Sequence, residues 1–196
     1  MRVSPRKISH LTGSYERRER GHLDYAPYFK PREANWDGVS FQQEVPYGTV
    51  MGGNWDRERV PFSKLLMYQG IRQRFINGNN WEETVYYREL MDRFREHRWN
   101  DADAKALTME RCDRIETIYK RIERDGYRSQ REMNGHPFHE VTVTVGRDGE
   151  LLYNCEGRHR LSVAKVLNIE TIPVLVLVRH ESFGGTIEID RPESTS

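Results

Sequence analysis

The chain has 196 residues, of which 36% are hydrophobic and 31% charged, and its 31 Lys and Arg against 30 Asp and Glu leave a formal charge of +1 at pH 7. That composition fits one domain, or a small domain with an extension, and is too apolar for a disordered chain. A globally basic nucleic-acid binder is not expected, although a local basic patch is compatible with the totals.

No apolar run approaches the roughly 20 residues that cross a bilayer; the longest is Ile172 to Val178. Met1–Lys7 has no apolar stretch behind it, so a secretory signal is not expected, and Glu16 and Glu19 argue against a transit peptide. Cys112 and Cys155 make neither a disulfide framework nor, alone, a four-ligand zinc site. A cytoplasmic setting is the simplest expectation.

Residues 1–35 are polar and Arg-rich, with Pro5, Pro27 and Pro31 as breakers. They read as an extended arm wrapping the body, with a partly disordered tail as the competing reading. From Asn35 to Trp55, Gly48, Gly52 and Gly53 predict turns. Two Trp-Asp pairs, Trp36-Asp37 and Trp55-Asp56, fall in or beside this stretch. They are expected to pack the arm onto the helices rather than to cover a ligand.

Regular helix is expected after Pro61, with Phe62, Leu65, Leu66, Ile71 and Phe75 at helical spacing and Gly78 as the stop. Asn80 and Glu83 form a capping-box pattern before a second helix that turns Trp81, Val85, Leu90, Met91 and Phe94 to a core. Its charged face, with Arg88, Asp92, Arg93, Arg95 and Glu96, reads as solvated. A third helix is predicted over Thr108–Asp125, ended by Gly126, with Cys112 on its apolar stripe as a core thiol.

The pattern then changes. Val141–Val145 alternates with period two, as in a half-buried strand. Gly146–Gly149 is a hairpin turn, Leu151–Tyr153 the return strand, and Arg158–Leu167 a short helix stopped by Asn168. Ile172–Val178 reads as a strand buried on both faces, and His180 after it as solvent-facing. The expected fold is α+β, a helical N-terminal half packed on a small mixed sheet. Its expected segments are 1–60 (arm and Gly/aromatic loops), 61–107 (helical extension), 108–180 (mixed domain) and 181–196 (tail).

The stretch Asn154–Arg160 joins a strand to a helix start, where unpaired N–H groups and the helix dipole favour an anion. Arg158 and Arg160 are unfavourable for the helix itself in its first turn. They make sense if a phosphate or carboxylate docks there, with Gly157 allowing close approach. The competing reading is that Glu156 or another internal acid neutralises them. His136 and His139 lie three apart beside Glu140 but lack a third ligand at a telling distance, so no metal site is expected.

These residues resemble the ParB/sulfiredoxin superfamily. LLYNCEGRHRLSVAKVLNIETIPVLVLV, from Leu151 to Val178, is similar to its second box: a strand, a Gly-x-[His/Arg]-Arg turn, a helix with small residues, then Ile-Pro-Val and a strand. Ile122, Gly126 and Gln130 followed by Val141–Val145 resemble its first box. The resemblance spans about a third of the chain, roughly residues 113–179. It implies a phosphate-cradling turn in which Gly157, Arg158, His159 and Arg160 hold phosphate oxygens, with Gln130 and Gly126 near the same pocket. It implies a nucleoside di- or triphosphate as ligand, with Mg²⁺ an optional companion, and phosphoryl transfer or nucleotide hydrolysis as the chemistry of catalytic members.

Glu156 and Glu140 are then the candidate bases or Mg²⁺ ligands, with Asp148 a weaker one, and His159 a base, donor or turn residue. Arg158 stands where sulfiredoxin-like enzymes have Cys and where the clamps usually have Glu, so sulfinic acid repair and a partition clamp are not expected. Activation of Cys155 by Arg158 is a minor reading. Two rival functions remain. One is a DNA- or RNA-binding, nuclease-like protein using Arg17, Arg18, Arg20 and the 157–160 turn; the other is a non-catalytic adaptor that kept only the fold.

Overall fold

A computed structural model of the protein describes residues 1–17, 23–32, 43–96 and 100–186. Trp36, Asp37, Arg18 and Arg20, and the side chain of Arg17, lie outside what is described. The architecture is α+β, and its centre is the predicted Val-Thr repeat. Strand β8 (Val141–Val145) is hydrogen-bonded on both sides, antiparallel to β9 (Leu151–Tyr153) and parallel to β10 (Ile172–His180). The β8–β9 hairpin turns through Gly146–Gly149, where Gly149 N–H donates to the Gly146 carbonyl at 3.0 Å. Helix α4 (Arg158–Val166) carries the chain back from β9 to β10.

The arm is part of the sheet. β1 (Arg2–Val3) pairs antiparallel with the start of β10, Arg2 opposite Pro173. β2 (His10–Arg17) runs parallel to β9 and antiparallel to both β3 (Leu23–Pro27) and β7 (Arg59–Pro61). β6 (Thr49–Met51) lies parallel to the end of β10. Together these make an eight-stranded sheet among the described residues. β4 (Phe29–Pro31) and β5 (Gln43–Val45) form a separate parallel pair.

Helices cover one face of this sheet. They are α1 (Leu66–Phe75), α2 (Val85–Glu96), α3 (Asp101–Asp125) and α4. Val141, Val143 and Val145 enter the same core as Ile71, Leu90, Cys112, Ile115 and Leu161. Gly70 lets α1 approach α2 closely: a Cβ there would stand 2.3 Å from Cβ of Tyr86. On the opposite face Phe29, Val45, Trp55, Leu152, Leu177 and Val178 form a second core.

Several expectations change. Thr142 and Thr144 are fully buried, so β8 is covered on both faces rather than half-buried. The arm supplies the cover: the Tyr47 hydroxyl lies 3.0 Å from Thr142 Oγ1, and Thr12 Oγ1 2.5 Å from Thr144 Oγ1. Conversely, Pro173, Leu175 and Val176 of β10 are only half-buried, and both faces close only beyond a bulge before Val178. The third helix begins at Asp101, not Thr108, because Asn100 caps it by accepting from Asp103 N–H at 2.9 Å. The Asn80–Glu83 capping box sits on a single 3₁₀ turn, and α2 starts after Thr84, whose hydroxyl accepts from Tyr87 N–H at 3.2 Å.

His180 is 2% exposed instead of solvent-facing. Its Nε2 lies 3.0 Å from the Gly53 carbonyl, its Nδ1 accepts from Ser182 N–H at 3.1 Å, and its ring meets Trp55. Beside it, the fully buried Asp56 accepts from Arg147 through N–H at 2.9 Å, Nε at 2.8 Å and Nη2 at 2.7 Å. The 52–56 loop is thereby clamped to the β8–β9 turn. Trp55-Asp56 thus packs the loop on the face of the sheet opposite the helices, not the arm onto the helices, and lies at the end of β8 away from the start of α4.

The Arg147 hydrogen bonds hold the Asp56 carboxyl near 2, below its ordinary value of 3.8, against the opposing effect of burial. A carboxyl depressed in the native state stabilises above its unfolded-chain value and loses that contribution as pH falls. The clamp should contribute about 2 kcal/mol above pH 4 and fade between about pH 4 and 2. Urea unfolding at pH 7, 4 and 2.5 should show this loss in the wild type, and Asp56→Asn should be destabilised at pH 7 with the gap closing in acid.

Candidate functional site

The end of β9 is fixed before the helix begins. Asn154 is fully buried, donating through Nδ2 to the Phe29 carbonyl at 2.7 Å and accepting from Phe29 N–H at 3.3 Å, so its amide ties down the arm. The Cys155 thiol is buried and pushed up to about 12 by that burial, the opposite of an activated thiolate. Gly157 is left-handed, with φ of 74°, and a Cβ there would lie 2.7 Å from Val141 Cγ2 and 2.8 Å from Val141 Cα. The close approach that this glycine permits is that of β8, not the expected ligand.

From this turn, successive residues diverge. Arg160 is 7% exposed and points toward the segment between α3 and β8. Its Nη2 donates to the His139 carbonyl at 2.5 Å and to Glu140 Oε2 at 3.1 Å, and its guanidinium lies 5.4 Å from the centre of the Tyr127 ring. With the Gln130 amide turned over, its oxygen accepts from both Arg160 Nη2 and Nη1, at 3.0 and 3.1 Å. Glu140 is itself buried, and its Oε1 accepts from Gln130 N–H at 2.5 Å. Gly126 and Arg160 do share a crevice, but it measures about 10 Å³, room for one water at most. Arg160, Glu140 and Gln130 therefore form an internal cluster built on the Arg160–Glu140 ion pair, with Gly126 lining the crevice beside it. The internal acid that neutralises an arginine of the motif is Glu140.

Glu156 is half-buried and faces His139, with Oε2 3.7 Å from Nδ1. Burial raises its carboxyl above the usual range, against the pull of His139, Arg160 and Arg158. His136 and His139 stand with ring centres 5.9 Å apart. Among the described residues no group of three or more His, Cys, Asp or Glu is placed to hold a metal ion. None of their helices is long and apolar enough to cross a membrane.

His159 turns the other way, toward α2 and α3. There an open cleft of about 360 Å³ is lined by His159, by Glu110, Arg111 and Arg114 of α3, and by the apolar side chains Tyr86, Phe94, Leu107 and Ile118. Arg111 stacks on Phe94 at 5.3 Å, and Arg114 pairs with Glu110 at 2.5 Å. Arg158 is exposed and forms no ion pair among the described residues. Burial, followed by the charges of Arg158, Arg111 and Arg114, lowers His159 to about 4, so its imidazole is neutral at pH 7. Burial raises the Tyr86 hydroxyl while Arg158 and Arg111 oppose it.

Sequence reasoning missed Arg111, Arg114, Tyr86 and Leu107. The i, i+4 spacing of Glu110 and Arg114 was the available signal, but it marks a helix surface and not what that surface meets. Compared with known proteins, the chain matches no family model, no curated protein and no solved structure.

The buried pair gives a direct structural prediction. Arg160→Ala leaves Glu140 without its counter-charge and should lower the unfolding free energy by about 3–5 kcal/mol. The Arg160→Met, Glu140→Gln double variant should recover much of that loss in the same denaturation measurement.

Proposed function

We propose that the protein binds a phosphorylated small ligand, nucleotides included, with the phosphate seated at the start of α4. The observation that carries this reading is the open cleft at which Arg111 and Arg114 of α3 meet His159 in the first turn of α4, with Glu110 as the opposing carboxylate. A phosphate there meets guanidinium forks and the positive end of α4 together. It would also relieve the cost of Arg158, the unpaired arginine in the first turn of that helix among the described residues. The resemblance of residues 113–179 to the ParB/sulfiredoxin superfamily supports the same reading, with two changes of role. Arg160 acts by holding the turn in place, and Arg111 and Arg114 of α3 join Arg158 as the anion-facing cations.

Glu156, whose carboxyl is raised by burial, faces His139 and does not line the cleft, so the reading is one of binding without an assigned acid or base. Glu140 does not fit that role, nor that of a Mg²⁺ ligand, because its two oxygens are engaged by Gln130 N–H and Arg160. A cytoplasmic location belongs to this proposal, since nucleotides and phosphorylated metabolites are abundant there.

Thermal denaturation with millimolar nucleotides and inorganic phosphate tests the reading. At about a hundredfold excess over Kd, ligand binding should raise Tm by roughly 5–10 °C. Arg158→Ala and Arg111→Ala should remove most of that rise while leaving the unliganded Tm within about 2 °C. No rise with any phosphorylated ligand would overturn the proposal.

A further inference from the structure

We infer that this cleft takes a compact phosphate diester carrying an aromatic ring, gripped by Arg111 and bound in preference to a monoester. The inference rests on the phosphate-site reading above and names its ligand class. The polar side chains that line the cleft differ in whether they already have partners. Arg114 and Glu110, one turn apart on α3, cancel each other at 2.5 Å. Arg111 forms no ion pair among the described residues, and its guanidinium lies 5.3 Å from the centre of the Phe94 ring. That contact holds the guanidinium at the cleft and leaves its N–H groups without a carboxylate. His159 makes no hydrogen bond among the described residues either, and its imidazole is neutral at pH 7 because burial lowers it to about 4. The lining therefore presents one uncompensated cation and one uncharged N–H donor.

These two groups match the two charge-bearing oxygens of a phosphate diester, which carries about one negative charge at pH 7. A monoester carries about two. Doubling the charge of the ligand doubles its attraction to Arg111 but raises the cost of leaving water about fourfold. Against a single counter-charge the diester is favoured.

The rest of the lining is apolar, with Tyr86 and Phe94 of α2 and Leu107 and Ile118 of α3 around the same space. A diester has a second organic substituent where a monoester has a charged oxygen, so both of its arms can cover those side chains. The volume of about 360 Å³ lies at the lower end for small-molecule sites, which suits a compact diester, such as a cyclic nucleotide, better than a polymer.

Calorimetric titration of the full chain at pH 7.5 compares methyl phenyl phosphate with phenyl phosphate, dimethyl phosphate and benzoate. Methyl phenyl phosphate should bind about tenfold more tightly than phenyl phosphate, which has the same ring and one more charge. It should exceed dimethyl phosphate, which lacks the ring, by about the same factor. Benzoate has the ring and the charge but no tetrahedral phosphorus to reach both Arg111 and His159, and should bind more weakly than methyl phenyl phosphate. Arg111→Gln should weaken every probe about tenfold or more. Glu110→Gln, at an exposed position, frees Arg114 and should reverse the order, so that phenyl phosphate becomes the tighter of the phenyl esters. Cyclic AMP should bind at least as tightly as methyl phenyl phosphate, and a single-stranded oligonucleotide, whose diesters are of the same kind, no more tightly than cyclic AMP.

Equal or tighter binding of phenyl phosphate by the wild type, or an unchanged order in Glu110→Gln, would overturn the diester inference and leave the phosphate site standing. Benzoate or dimethyl phosphate equalling methyl phenyl phosphate, or tightest binding of the oligonucleotide, would overturn it as well. Failure of every phosphorus-containing probe to bind would remove both.

Discussion

Everything in this molecule is arranged around one strand that must be dry on both sides. The valines of β8 sink into the helical core and its threonines into the arm-side core, with all five residues buried. Valine on one face needs only apolar neighbours, which α1 to α4 supply. Threonine on the other needs hydroxyl partners, because a buried unpaired hydroxyl is costly. Thr12 and Tyr47 provide them. That requirement explains why the polar N-terminal segment is drawn into strands: it closes the face of the sheet that the helices leave open.

The same strand sets the start of α4. Gly157 presses on Val141, so the turn into the helix is fixed by packing before any ligand is considered. The buried pair of Arg160 with Glu140 then fixes the rotation of the helix about its own axis. One arginine of the first turn is spent on internal order. His159, about 100° from it around the helix, is turned toward α3. An ion pair of this kind contributes little net stability compared with an apolar replacement, but it specifies one arrangement. The cleft is a consequence of that arrangement, with Arg111 and Arg114 of α3 meeting His159 of α4.

The elements legible in the sequence are those whose pattern is local. The Val-Thr repeat, the Gly146–Gly149 turn and the three-four spacing of Cys112, Ile115 and Ile122 are all found where the local pattern placed them. The first two turns of α3 were not legible, because Asp101 to Leu107 offers only Ala104 and Leu107 to a core. Nor was the burial of His180 and Asp56, which depends on a loop folding back from a hundred residues away. The motif from Gly157 to Arg160 was visible as a unit. Its division into an inward-facing and an outward-facing part was not, since only Glu140 and the surface of α3 decide which way each side chain turns.

The strand order also bears on how the fold is reached. Arg2 pairs with Pro173 and its guanidinium donates to Thr171, contacts that span about 170 positions of the chain, and His10 pairs with Leu152. Helices α1 to α3, by contrast, pack mainly on their near neighbours. Contacts of such different sequence separation form on different timescales, since long loops must close before distant strands are rewarded. During synthesis the helical hairpins therefore have partners at once, as β2 does in β3 and β7, whereas the β9 edge of β2 and the whole of β1 wait for strands made more than a hundred residues later.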